Sequence, residues 1–426
     1  MKHRITFFIV SAFFVIIFII SLSCNKKNPE TKPVTIRWWH INSDKQSQIV
    51  FQNIANEFEK TNPDVIIKIT MLDNMEYKPK LELDFAAGDP PDIFHSWGGG
   101  GLAEQVEAGH LRDITSYVKS DNWQSKISPI ALDIYSYDGK IYGFPHDLGA
   151  VGFWYNRELL KKVGYTSFPE TWHDFYKLCD RLKNAGITPI SIGIADRWPV
   201  MYYWVYLAMR IGGEDLFSDI YKGNIKFNNP DLIKAGLIMQ DLFKQGYFQS
   251  SSIGDDFNTQ SRYMGDGDCA MQLMGQWAVA IQAQSAEKKD ALSHLMMFAP
   301  FPSVQNGKGS IKDAMGGCNG FVIGKNAPDE AIEFLEFFTR AENLQKSFDV
   351  FPAIPTVNEV VIKNEGHKAV KKYLNTMSSF NLYPDQLFPL ETGSMINEVS
   401  ARIMLGELTP EEGCKILDET WSRSKE

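Results

Sequence analysis

The side chains able to do covalent or metal chemistry are present in this sequence but are not arranged for it. Five cysteines, Cys24, Cys179, Cys269, Cys318 and Cys414, are widely spaced, with no C-x-x-C pair and no zinc spacing. With Cys24 set aside, the other four dictate no pairing and are expected as buried free thiols, one disulfide being the alternative in an exported chain. Carboxylates stand together at Asp255-Asp256 and at Asp266 and Asp268. Such neighbours point different ways and rarely form an acid–base pair, so turn and helix polarity explains them more simply. There is no G-x-S-x-G elbow, P-loop, H-E-x-x-H or EF-hand loop. The four glycines at 98–101 are followed by no Lys-Ser/Thr, which argues against a phosphate cradle. What remains is recognition by aromatic faces beside planar polar groups, as at Trp39-His40 and Ser96-Trp97. A tryptophan face stacks on the C–H face of a pyranose, and Asp, Asn, Gln, Arg or His bond its hydroxyls. Neither catalysis nor a cofactor or metal is expected.

These pairs sit at the ends of expected strands. Residues 34–40 (V-T-I-R-W-W-H) are β-branched and aromatic, and 65–71 alternate as a second strand. Between them a helix capped by Ser43 or Asp44 runs to about Lys60, and Asn62-Pro63 stops it. A second helix spans about 77–87, and 92–94 form a third strand leading into the glycines. This alternation predicts a parallel sheet with helices on both faces. The pattern restarts at Trp154, with helices near 157, 168–185, 199–211, 231–244 and 257–264. Strands are expected at 190–194, 269–274 and 320–323, a helix at 328–338, and mostly helix beyond. In an open parallel sheet a ligand sits beyond the carboxyl ends of the strands, so Trp39 and His40 are expected to point at the mouth of a cleft.

A chain of 426 residues exceeds one ordinary core, and two domains are expected. Its 44% hydrophobic and 22% charged residues suit a soluble globular protein, while a net charge of −9 argues against nucleic acid. The N-terminus sets the compartment. Lys2, His3 and Arg4 precede an apolar run over residues 5–20, then Ser21, Ser23 and Cys24, with no further charge until Lys26. That is the layout of an export signal. The exit resembles a bacterial lipobox, whose cysteine is acylated and becomes the new N-terminus. It departs from the usual pattern in having Ser21, not leucine, three residues before Cys24, with Leu22 one place later. The rival reading is an uncleaved anchor, since residues 5–25 are nearly long enough to span a bilayer. In both cases the body lies outside the cytoplasmic membrane, on a polar tether over 24–33.

Several strings together resemble the extracellular solute-binding proteins of carbohydrate ABC importers, the family that includes maltose-binding protein. They are W-W-H at 38–40 with A-N-E-F-E-K-T-N-P at 55–63, F-A-A-G-D-P-P-D-I at 85–93, and D-G-K-I-Y-G-F-P at 138–145. W-Y-N-R-E-L-L at 154–160, F-P-E-T-W at 168–172, M-Q-L-M-G-Q-W at 271–277 and a glycine-bearing strand at 316–323 follow in the family's order. The resemblance implies an α/β, two-lobed periplasmic-binding-protein-like fold. Each lobe is a mostly parallel sheet flanked by helices, with three hinge crossings near Pro145, Gly317 and Pro352. The implied division is a signal peptide at 1–23, a lipidated tether at 24–33, lobe one at 34–144 plus 317–350, and lobe two at 145–316 plus 351–426.

It also implies a site between the lobes. Ser96 and Trp97 lie where family members often place a stacking aromatic, and Trp277 corresponds to a recurrent sugar platform. Asp147 follows the first crossing beside His146, Trp198 follows a strand of lobe two, and Asn319 lies beside the second crossing. With Trp39 and His40 these are the candidate ligand contacts, and Tyr383, Asp385 and Gln386 are weaker ones. Trp154, Trp172, Trp204 and Trp421 are assigned to the core. The implied partners are a sugar or oligosaccharide, the ABC transporter permease subunits, and the membrane through a lipid on Cys24; the protein itself is a monomer. The alternatives are a receptor for another solute (glycerol phosphate, a polyamine or an iron complex) and, less favoured, a surface glycosidase.

Overall fold

The computed structural model describes residues 33–120, 126–288 and 295–425. The expected signal segment, Cys24 and the tether up to residue 32 lie outside the described residues.

In the first sheet, β1 (Val34–His40) pairs in parallel with β2 (Val65–Met71) and with β3 (Ile93–Ser96). Helices α1 (Lys45–Thr61) and α2 (Asn74–Ala87) make the crossovers. Each begins on an aspartate cap. Asp44 accepts from Ser47 N at 2.7 Å, and Asp73 from Met75 N at 3.1 Å. The inner face of α1, with Phe51, Ile54, Ala55 and Phe58, packs toward the core. Trp38 is fully buried there, its ring 5.1–5.3 Å from those of Phe51, Phe321, Phe334 and Phe338.

From β3 the chain passes through α3 (Gly99–Glu107) to β4 (Gly143–Ala150), which continues through Val151 into β5 (Gly152–Asn156) of a second sheet. That sheet adds β6 (Thr188–Ile190), β7 (Cys269–Met274) and β8 (Met296–Ala299) in the order β8-β5-β7-β6. Only β6 and β7 are parallel in it. α4 (Trp198–Gly212) is buried along its whole length from Pro199 to Ile211, as a helix apolar on nearly every side must be. Its one charge, Arg210, donates to Phe301 O at 3.1 and 3.3 Å and to Asp313 O at 3.0 Å.

The two sheets are joined where β4 runs on into β5. β9 (Asp313–Ile323) runs antiparallel to β4 from Gly316↔Ala150 to Val322↔Gly143. Its C-terminal half also pairs with β3, and its N-terminal half pairs in parallel with β10 (Ser379–Leu382). On the other edge of β4, Leu148 N donates to Ile354 O at 2.9 Å and Thr356 N to His146 O at 3.1 Å. β9, β4 and residues 354–356 therefore run side by side.

Some elements differ from expectation for local reasons. The strand read at 190–194 ends at Ile190, because Ile192 N and Gly193 N take the side-chain amides of Gln249 and Gln260 instead of a neighbouring strand. The helix read from 168 starts at Trp172, where Thr171 accepts from Asp174 N. β9 extends back to Asp313 because β10 pairs with it from Asp313 to Gly316. Cys179, Cys269, Cys318 and Cys414 are free and buried. Trp154, Trp172 and Trp204 are core residues as read.

Replacing Trp38 by alanine is expected to lower unfolding stability by about 3–5 kcal/mol, the usual range for a large buried aromatic. Urea denaturation measures it; a loss below about 1 kcal/mol would mean that this ring cluster is not a core.

Candidate functional site

Between the two sheets lies a cleft of ≈ 600 Å³. One wall is built on the carboxyl ends of the first sheet's strands: Asn42 and Asp44 after β1, Asp73 and Asn74 after β2, and Trp97 after β3. The other carries Asp196, Arg197, Trp198, Phe257 and Trp277. The floor is made by the crossing segments, through His146, Asp147 and Gly317–Asn319, with Tyr383 and Asp385 beside them.

Three tryptophans thus enter one cavity from opposite walls. Trp97 is half-buried, standing against His95 at 4.5 Å and Tyr77 at 5.8 Å, with Lys78 Nζ 4.8 Å from its ring centre. Across the cleft Trp198 and Trp277 lie 6.3 Å apart at 56°. Tyr383 meets the edge of Trp277 at 6.4 Å, and Phe257 packs on Trp198 at 5.0 Å. Local backbone sets these rings. Trp198 is the first residue of α4, and Arg197 before it has a φ of 65°, a left-handed turn that few non-glycine residues adopt. Trp277 follows Gly275, where a Cβ would come within 2.3 Å of its ring, so only glycine leaves the ring this space.

The floor is polar and tightly bonded. β4 and β9 lose register between Asn319 and Gly320, where His146 is the extra residue on β4. Asp147 Oδ1 accepts from Asn319 N at 2.9 Å and from Asn319 Nδ2 at 3.0 Å. Its Oδ2 accepts from Asn319 Nδ2 at 3.1 Å and Gln276 Nε2 at 3.3 Å. Burial pushes the Asp147 carboxyl up to about 6, and those donors oppose the rise. Burial likewise raises Asp385, which accepts from Gln386 and Asn397 at 3.1 Å. Asp196 is raised by burial and by the charges of Asp256 and Asp73, and its carboxylate accepts from Phe257 N at 2.9 Å. Lys78 and Arg197 are the only basic side chains among the described lining residues besides histidine, and Arg197 is paired with Glu398 at 3.3 Å. Asp44, Asp73, Glu82, Asp196, Asp385 and Glu398 oppose them, so the cleft does not attract an anion. Among the described residues no three His, Cys, Asp or Glu side chains are placed to hold a metal ion.

Of the eight expected contacts, the structure brings Trp97, Asp147, Trp198, Trp277 and Asn319 to this cleft, together with Tyr383, Asp385 and Gln386. Three do not reach it, which corrects their expected direction. Successive side chains of β1 alternate, so His40 shares the Trp38 face and packs on Phe51 at 4.9 Å, fully buried. Trp39 turns to the opposite face and lies under Lys80 Nζ at 5.0 Å. Ser96 shapes the turn: its Oγ accepts from Gly98 N at 3.0 Å and its carbonyl from Tyr135 OH, which presents Trp97. Lys78, Tyr202, Phe257, Gln276 and Asn397 were not foreseen. Gln276 had a signal, its place inside the G-Q-W string; Lys78, in mid-helix, had none.

Comparison with known proteins agrees with this architecture. A family model described as bacterial extracellular solute-binding protein matches residues 44–345. An uncharacterized ABC transporter extracellular-binding protein of Pyrococcus horikoshii is 24% identical over 294 residues, 65% of each chain, so the match spans just under two thirds of that relative's length. The multiple sugar-binding protein of Streptococcus mutans is 22% identical over 345 residues, 78% of each. A solved chitin oligosaccharide binding protein superposes with a TM-score of 0.83 at 22% identity, covering 92% of this chain and 99% of that one, a likeness of fold.

The buried carboxyl yields a pH test. Its folded-state value of about 6 lies above the ordinary 3.8, so its stabilising contribution is full below 3.8 and is lost as pH rises through 6. The stability of the wild type relative to Asp147→Asn should therefore fall by up to about 3 kcal/mol between pH 4 and pH 7. Paired denaturation curves measure it, and a difference independent of pH would contradict the assignment.

Proposed function

The chain belongs to the bacterial extracellular solute-binding proteins, and on that premise we propose that it is the substrate-binding subunit of an ABC importer for a sugar or oligosaccharide. The observation that carries this reading is the convergence of Trp97 from one wall with Trp198 and Trp277 from the other on one acidic, hydroxyl-ready cleft. Flat aromatic faces hold the C–H faces of pyranose rings, and Asp196, Asp385, Asn397 and Lys78 supply the planar or charged partners for hydroxyls. The names borne by relatives, among them multiple sugar-binding and chitin oligosaccharide binding proteins, support the same ligand class. The surplus of carboxylates disfavours glycerol phosphate.

Ligand that touches both walls favours the closed arrangement, and closure presents a surface to the permease subunits. The lobes divide as 34–144 plus 317–350 and 145–316 plus 351–426, with β10 of the second segment set reaching back to β9. The protein acts as a monomeric receptor without catalysis. Residues 1–23 serve as the export signal, and acylated Cys24 holds the body at the outer face of the cytoplasmic membrane.

Calorimetry against mono- and oligosaccharides tests the reading. Saturable binding is expected, weakened at least tenfold, about 1.4 kcal/mol, by Trp277→Ala and by Trp97→Ala. Affinity untouched by either change would move the site elsewhere, and release of reducing sugar during the titration would make the protein a glycosidase.

A further inference from the structure

We infer that Asp147 is a positioning residue for the Trp277 platform. It acts through the side-chain amide of Gln276, and a proton on Asp147 reverses that amide and draws the platform toward the floor. The inference rests on the sugar-receptor reading for its consequence, but not for its geometry.

Gln276 is the peptide neighbour of Trp277 and is fully buried. Its carbonyl is bonded to His367 Nε2 at 2.8 Å. Its amide lies flat against β4: a Cβ on Gly149 would stand 1.7 Å from Gln276 Oε1. Within that slot Nε2 points at Asp147 Oδ2 across 3.3 Å, beyond the usual N–H···O range, and Oε1 has no partner. Half-turn reversal about the last side-chain bond is the one large freedom left to this group.

The charge on Asp147 decides which way round the amide sits. An ionised carboxylate only accepts, so Gln276 must offer its NH2 and leave Oε1 unmatched. A protonated carboxyl keeps Oδ1 for Asn319 N and Nδ2 and gains an O–H on Oδ2. That hydrogen needs an acceptor, and the reversed amide places Oε1 in front of it. O–H···O bonds close to about 2.7 Å, so the exchange pulls Gln276 in by roughly half an ångström. Trp277, one residue on, follows into the contact it makes with Tyr383.

The groups packed against the carboxyl are shifted away from neutrality, while Asp385, also raised by burial, acts with Asp147 on Tyr383. On its own strand, His146 is held down at about 4 by burial, and His367, behind Gln276, likewise. Burial drives Cys318 on β9, Tyr135 beneath the sheet and Tyr383 after β10 well above their ordinary values. The 354–356 segment brings Ile354, Pro355 and Thr356, none of which titrates.

The test needs no ligand at first. Emission of the full chain minus that of Trp277→Phe isolates Trp277, and is recorded from pH 5 to 8. A step centred near pH 6 is expected, absent in Asp147→Asn and in Gln276→Leu. A flat difference signal overturns the inference, and so does a step that survives Gln276→Leu, since Asp147 would then act by another route. Gly149→Ala, which fills the slot, should also abolish the step. Calorimetry with raffinose, maltotriose and chitotriose at pH 5 and 7.5 then reads the consequence. For a sugar that binds, affinity should differ at least threefold in the wild type and less than 1.5-fold in Asp147→Asn; equal pH dependence in both overturns the inference. A fluorescence step with no carbohydrate bound at any pH leaves the link standing and sinks the receptor reading instead.

Discussion

One carboxylate, removed from water where two long strands cross, sets the geometry on which the cleft depends. A charge so buried is tolerated only with donors around it, and Asp147 finds them on Asn319 of β9 and on Gln276 of the second sheet's loop. Satisfying it costs the β4–β9 ladder one register step, with His146 as the extra residue. That bulge directs Asp147 into the cavity floor while the same strands remain paired toward each sheet. The segment at 354–356 then closes the other edge of β4. The walls are therefore joined by a narrow strip of paired segments.

From that strip the functional surface follows. The carboxyl ends of β1, β2 and β3 bring short polar residues to one wall, and the strained Arg197 and the permissive Gly275 bring tryptophans to the other. Aromatic platforms suit a ligand with alternating hydroxyl and C–H faces, because stacking tolerates sliding while the planar groups fix orientation.

Much of this architecture was legible in the sequence where local chemistry speaks for itself. The strand–helix alternation, the helix start at Ser43 or Asp44 and the aromatic-rich α4 each have a local cause that the sequence shows. Direction was harder. With two tryptophans in succession, β1 gives no indication of which face meets α1 when both faces are covered, and Trp39 and His40 were aimed at the cleft although neither reaches it. Ser96 sits in the right turn but serves to bend it. Ile192 and Gly193 look like strand until two distant glutamine amides claim their N–H groups. The role of Asp147 was seen as a ligand contact, whereas its hydrogen bonds run to Asn319 and Gln276, residues that only the fold brings beside it.

The account stands on the two walls closing over a shared ligand. Small-angle scattering from the chain with and without a saturating oligosaccharide tests this most directly. A smaller radius of gyration with ligand is the predicted result. A profile unchanged at full occupancy, with binding verified in the same sample, would contradict it.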